Sequence, residues 1–385
     1  MREDMGQKKR TGQGILFFLA LLLLVVPAWG AEYDYREGMD SFFAEEGEEL
    51  LDKLPGEAQG LLDRLGLEGI SGTVEGLTPQ LFFQAVWESI LEQLRSPLRL
   101  LVSLVGILLL CAILESFGAS FSAGGADAIL GVIITVFISG ILIDPIVACI
   151  VDAREVIRNF ATFILAFIPV FAGVVTASGQ PMTGMAYNLF VFWMCQVTAQ
   201  LVTAVFLPLL SAYLALSVVS VVCPKLELGG FVGGIKTFVT WSLGLVLTVF
   251  IGLMSIQSVV ASSGDSIAVK TTKFFIGSMI PVVGGALSDL FAAAQGCIQL
   301  VKGTLGAFGI VITALTFLPV LLRCGVWYVA MGLGRVVSEL FHLPQITKLL
   351  RAVSSTLGII LAVLLYDALL VIISTTLLIV AFRGG

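Results

Sequence analysis

Charge is the scarcest ingredient of this chain. Asp, Glu, Lys and Arg together make 12% of its 385 residues, against roughly 25% in a soluble domain, which excludes a water-soluble globule. Histidine is nearly missing: His342 is the single example. One imidazole cannot furnish the His-Glu-x-x-His of a zinc protease or any multi-histidine metal site. No G-x-x-x-x-G-K-[ST] loop is present to cradle the phosphates of ATP, and no G-x-S-x-G elbow to raise a serine nucleophile. The six cysteines, Cys111, Cys149, Cys195, Cys223, Cys297 and Cys324, all lie in or beside apolar runs, without disulfide-framework or metal spacing. They read as small core hydrophobes.

What the chain has in abundance is apolar surface: 58% of it is hydrophobic and its mean hydropathy is +1.03. This is an integral membrane protein. About 20 apolar residues let a helix cross the hydrocarbon. Runs near 98–118, 128–150, 159–177, 185–210, 237–260, 274–298, 303–325 and 355–382 meet that measure. The fold class is therefore an all-α polytopic membrane protein with about seven to eight transmembrane helices, the run 274–298 being a full span or a re-entrant segment. The stretch 185–223 is too long for one upright helix, and Pro208 is placed to kink it. Residues 327–343, with Arg335, Glu339 and His342, read as an amphipathic piece at the interface.

The N-terminus reads as an export signal. Lys8-Lys9-Arg10 precede an apolar run from Ile15 to Val26, then the small residues Ala28, Gly30 and Ala31. Residues 1–30 form a signal peptide with cleavage expected after Gly30, which delivers the adjoining segment outside the cytoplasm. That segment, residues 31–97, carries fifteen Asp/Glu against four Lys/Arg, a local net charge of −11 that the whole-chain value of −6 conceals. Such a segment repels nucleic acid, and its acidic faces do not suit an anionic lipid surface. Phe42, Phe43, Leu50, Leu51 and Leu54, and then Leu81, Phe82, Val86, Ile90, Leu91 and Leu94, fall near helical spacing. They predict short amphipathic helices separated by turns at Pro55-Gly56 and Gly69 to Gly76, with a helix start at Thr78-Pro79.

Self-comparison exposes an internal repeat. Phe163 to Gly173 reads F-I-x-x-x-I-P-V-x-x-G, and so does Phe275 to Gly285. Val202-Thr-Ala-Val with Phe206-Leu-Pro-Leu-Leu matches Ile312-Thr-Ala-Leu with Phe317-Leu-Pro-Val-Leu, and Leu243-Gly244 matches Leu357-Gly358. The chain divides accordingly into a signal peptide 1–30, an acidic extracytoplasmic segment 31–97, a first transmembrane pair 98–151, and repeat halves 152–260 and 264–382. Three spans in each half would set the halves inverted in the membrane, as in many transporters. Arg154 and Arg158 open one half, while Lys270 and Lys273 open the other. The preference of Lys and Arg for the cytoplasmic side therefore selects no orientation, and the signal peptide is the stronger cue.

The densest concentration of polar and backbone-breaking residues inside the membrane domain runs from Gly252 to Asp289. Ser255, Gln257, Asp265, Lys270 and Lys273 occupy its polar part, and Pro281, Gly284, Gly285 and Asp289 come after them. Broken helices at membrane depth line cavities or pack inside protein, because unpaired backbone groups in hydrocarbon are costly. With Asp144, which precedes Pro145, these are the candidate conduit or interaction residues. Glu115, Lys302, Arg323 and Asp367 also lie in or near spans; for Glu115, Lys302 and Arg323 solvation at span ends is the simpler expectation. The pattern Gly252-x-x-Ser255-x-Gln257, Asp265, Lys270-Thr-x-Lys273-Phe, Ile280-Pro-Val-Val-Gly-Gly and Ser288-Asp289, continued by Gly296-Cys297 and Gly306 to Gly309, resembles the stage III sporulation protein AE family. Tyr366-Asp367 and Gly264-Asp265 superficially resemble the two motifs of membrane aspartyl proteases. Their order is reversed, the second lacks its first glycine, and no Pro-Ala-Leu element comes after them.

The resemblance implies a multi-pass subunit of the channel or secretion complex that links mother cell and forespore during engulfment. It implies a place in the mother-cell membrane around the forespore and a requirement in forespore development. Its expected partners are the other stage III sporulation membrane subunits and the lipid bilayer, with no nucleic acid, no cofactor, no metal and no enzymatic activity. The alternative is a stand-alone secondary transporter with inverted repeats.

Overall fold

A computed structural model describes residues 47–118, 126–223, 228–279 and 284–380. The signal peptide, Phe42, Phe43 and Pro281 lie outside the described residues. The described chain is helical: α1 Gly47–Asp52, α2 Gly56–Leu65, α3 Gly69–Gly76, α4 Pro79–Gly118, α5 Ala126–Ala177, α6 Pro181–Leu201, a π-helical turn Val202–Phe206, α7 Leu207–Val222, α8 Gly229–Met279, α9 Gly284–Leu340 and α10 Pro344–Val380.

Six of these stretches are long and apolar enough to cross a membrane: Pro79–Leu110, Ile133–Ala177, Pro181–Val222, Gly229–Thr271, Ile298–Leu340 and Pro344–Ile379. Hydropathy alone divides the same sequence into eight runs; of these, 274–298 falls mostly on residues whose side chains lie outside the described set, and 128–150 and 159–177 share one helix. What joins those two is the lack of a helix breaker between them. Asp152 to Arg158 interrupts the apolar pattern, yet it contains neither proline nor glycine, so α5 runs through it. The polar stretch around Asp265 and Lys270 likewise stays helical within α8, and the piece carrying Arg335 and Glu339 is the end of α9 rather than a separate helix. The 45 residues of Ile133–Ala177 amount to about 68 Å at 1.5 Å per residue, more than twice the roughly 30 Å of hydrocarbon.

Two helices form the inside of the bundle. In the best apolar windows of Ile298–Leu340 and Pro344–Ile379, 72% of residues are buried, against 17% for Pro79–Leu110 and Gly229–Thr271 at the periphery. Helix α5 supplies an aromatic ladder to this core. Phe160, Phe163, Phe167 and Phe171 recur every three or four residues on one face, are buried, and stack at 5.4–6.1 Å before meeting Tyr187 of α6 at 5.5 Å. Gly306 and Gly309 of α9 admit this ladder. A Cβ on Gly309 would lie 2.3 Å from the Phe167 ring, and one on Gly306 would lie 2.6 Å from Ile379 and 3.1 Å from Phe171.

The helices before the first span are seated on the bundle. Leu50, Ala58, Leu61, Leu62, Ile70 and Val74 belong to the same buried cluster as the membrane helices, packing mainly on α9. Pro55-Gly56 opens α2, in keeping with the predicted turn. Gly69 to Gly76, expected as a turn, is instead the helix α3, because burial of Ile70 and Val74 outweighs the glycines' poor helix propensity. Thr78 starts α4 as its sequence predicts, its Oγ1 accepting the Leu81 N–H at 3.3 Å. Helix α4 then continues unbroken through Pro97 into the first span. The irregularity expected at Pro208 is the π turn just before it. Proline has no N–H for the carbonyl four residues back and crowds it, and widening one turn relieves both problems.

Candidate functional site at the start of helix α6

Helix α5 ends at Ala177 and α6 begins at Pro181, with Ser178, Gly179 (φ 86°) and Gln180 making the turn. Proline at the first helical position lacks an N–H, so the donors left open are those of Met182 and Thr183. Gln180 precedes them without capping them. Asp265, from α8, does so instead. Its Oδ1 accepts the Met182 N–H and its Oδ2 the Thr183 N–H, each at 2.9 Å. Asp265 is 1% exposed, and its charge sits at the positive end of the α6 dipole.

Gln180 turns the other way. Its Oε1 accepts from Lys302 Nζ of α9 at 3.0 Å; Lys302 is 4% exposed and within electrostatic reach of Asp265. One three-residue turn thus joins α6, α8 and α9 through a buried anion, a buried cation and an amide between them. Further along α8, Gln257 Nε2 donates to the Ala186 carbonyl at 2.7 Å. Met254, Gln257, Ala261 and Asp265 recur on one face of α8, so the two polar contacts on α6 are set by helical periodicity. Glycines allow the close approach. A Cβ on Gly264 would lie 2.5 Å from Met182 Sδ, and one on Gly184 would lie 2.7 Å from the Ala172 carbonyl of α5.

Both oxygens of Asp265 are occupied, and no cluster of three or more His, Cys, Asp or Glu side chains suited to a metal ion occurs among the described residues. The arrangement can fix the position of a helix; it presents no open nucleophile. Of the residues singled out in the sequence, Gln257 and Asp265 come together here. Ser255 is exposed and bonds to its own helix at the Ile251 carbonyl, 2.7 Å away. Lys270 and Asp144 are exposed. Gly284 and Gly285 open α9, and Lys273 and Asp289 lie on α8 and α9 with their side chains outside the described residues, as is that of Glu115. Lys302 does not snorkel as expected but is buried. Arg323 forms an ion pair with Asp152. Gln180 is legible in one respect: it stands directly before Pro181, where Ser, Thr, Asp or Asn would cap the helix, so the cap must come from elsewhere in the chain.

A cavity of about 660 Å³ opens where α2 and the first half of α4 meet α5 and α9, lined by Glu57, Arg64, Gln93, Pro145, Pro319 and Arg323 among others. Gln93 Nε2 donates to the Pro319 carbonyl at 3.1 Å, and Arg64 pairs with Glu92 at 3.1 Å. Glu57 Oε2 and Gln93 Oε1 are buried without partners.

Comparison with known proteins decides the lineage of this bundle. The profile of a family described as Stage III sporulation protein AE matches residues 67–382. The chain belongs to the stage III sporulation protein AE family. A curated relative, the Stage III sporulation protein AE of Bacillus subtilis (strain 168), is 23% identical over 316 residues, covering 82% of this chain and 79% of that protein. No solved structure matches. The family match begins between α2 and α3 and runs through the α6 cap and the whole of α10. It takes in the whole α6 site and the α4, α5 and α9 walls of the cavity.

Proposed function

We propose that this chain is a multi-pass membrane subunit of the sporulation channel or secretion complex connecting mother cell and forespore, required for forespore development and acting without enzymatic chemistry. Membership of the sporulation family is the observation that carries this function. The architecture supports it. Residues 47–76 of the acidic segment form helices docked on the membrane body, beside a cavity at the junction whose lining includes Glu57, Arg64 and Arg323. Helices α4 and α8 leave most of their apolar surface uncovered, which gives neighbouring membrane subunits and lipid a broad lateral face. In this function residues 31–97 lie outside the cytoplasm between the two membranes, and the protein resides in the mother-cell membrane around the forespore.

The repeat halves 152–260 and 264–382 provide the scaffold. What supports the repeat is element order. In each half a helix ends (Ala177 or Met279), a long helical stretch carrying the matched proline lies beyond it (Pro181–Val222 with Pro208, Gly284–Leu340 with Pro319), and a further long helix comes last (Gly229–Met279 or Pro344–Val380). A tagged chain purified from sporulating cells should bring other stage III membrane subunits with it, and deletion should arrest sporulation. Substrate- or ion-driven flux by the purified chain alone in liposomes, lost in Asp289→Asn or Lys273→Ala, would instead establish a stand-alone secondary transporter.

A further inference from the structure

Helix α10 holds a single acidic residue, Asp367, twelve residues from the start and fifteen from the end of the apolar run 355–382. It is 7% exposed. No hydrogen bond or ion pair joins its carboxyl to any described residue. The ionisable groups within electrostatic reach of it are neutral ones: the Cys195 thiol of α6 and the phenol of the adjoining Tyr366. Among the described residues, no charged group from α5, α7, α8 or α9 reaches it. This seam between α6 and α10 is polar elsewhere too. Tyr187 and Thr375 hydroxyls meet at 3.3 Å, and the buried hydroxyls of Thr198 and Tyr366 lie near one another without a well-formed hydrogen bond. Four residues beyond Thr198 the backbone enters the π turn Val202–Phe206, a distortion frequent at functional sites.

An ionised carboxylate in such a place requires a countercharge, hydrogen-bond donors or water. Neither of the first two is supplied by the described residues. A hard metal cation would need a shell of oxygen ligands, whereas the thiol near Asp367 is a soft one and no group of three or more candidate ligands is assembled among the described residues. A proton needs only one carboxyl oxygen. We propose that the Asp367 carboxyl is a proton-binding site inside the bilayer, which holds its proton between the packed helices α6 and α10. This holds whichever complex the chain joins.

The test uses the full chain reconstituted in phosphatidylethanolamine–phosphatidylglycerol vesicles and infrared spectroscopy of the carboxylic-acid C=O stretch. At neutral pH the parent protein should show a protonated-acid band that is lost in Asp367→Asn, kept in Asp144→Asn, and unchanged when sodium replaces potassium. Asp367→Glu, should the amide variant not fold, should retain a protonated-acid band at a shifted frequency, and isotope labelling of aspartate in the parent should shift the original band. A parent spectrum without such a band, or a band that Asp367→Asn leaves in place, overturns the assignment. Loss of the band on adding sodium at constant pH also overturns it, in favour of a metal-ion site.

Discussion

Replacing Asp265 by alanine should be among the most damaging single changes to this bundle. The carboxylate receives two backbone N–H groups at 2.9 Å in a site where it is 1% exposed. Hydrogen bonds to a charged partner contribute about 1.5–3 kcal/mol each. The Thr183 donor is left buried without its acceptor and Lys302 loses a neighbouring anion, so a loss of about 3–5 kcal/mol is expected, close to the sum for two charge-assisted bonds. Asp265→Asn should cost less than the alanine, since its Oδ1 still accepts one N–H while its amide nitrogen faces the other donor. Adding Lys302→Met to Asp265→Ala should recover part of the loss, because it removes a buried cation that has lost its nearby anion; coupled neighbours deviate from additivity by about 0.5–3 kcal/mol. Thermal unfolding in mild detergent can be followed with a thiol-reactive fluorophore in a Cys223→Ser background, because Cys149, Cys195 and Cys324 are buried in the folded state whereas Cys223, expected in the core, is exposed. At roughly 2 °C per kcal/mol for a large domain, Tm should fall by roughly 6–10 °C. An alanine variant that melts within about 1 °C of the parent, with no effect of the second substitution, would refute the capping role.

Gly309→Ala should destabilise by about 1–3 kcal/mol through overpacking, since its Cβ meets the Phe167 ring at 2.3 Å, whereas Gly325→Ala, inside α9 with nothing within 4 Å, should stabilise by up to about 1 kcal/mol; the same melting assay separates them. His342 occupies the left-handed region with φ 58° where α9 turns into α10, so His342→Gly should stabilise by about 1 kcal/mol, seen as a raised Tm. Thr78→Ala removes the acceptor at the start of α4 and should cost about 1 kcal/mol, with amide exchange speeding up at Leu81 while the interior of α9 is unaffected.

The legible parts of this protein are those governed by neighbours in sequence. Thr78-Pro79 announces a helix start because capping is settled within three residues, and the apolar runs announce a membrane body because burial of that much hydrocarbon leaves no soluble alternative. Span number is less legible. Hydropathy registers Asp152 to Arg158 as a boundary, while the backbone stops only for a breaker. Asp265 and Gln257 stand out as polar residues in an apolar setting, but their tasks depend on N–H and carbonyl groups more than 70 positions away in the chain. Lys302 defies its expected place at a span end for a related reason: sequence gives its distance along a helix and not which way the side chain faces. Asp367 is visible as a charge within a run, and only the packing reveals that nothing answers it.

Helix α4 has a mechanical consequence. It leaves Thr78 outside the first span, crosses Pro97 without a break and is tied to α9 through Gln93 and the Pro319 carbonyl. Whatever grips α1 to α3 therefore pulls on a lever instead of a tether, and force applied at the acidic end arrives at the innermost helix of the bundle.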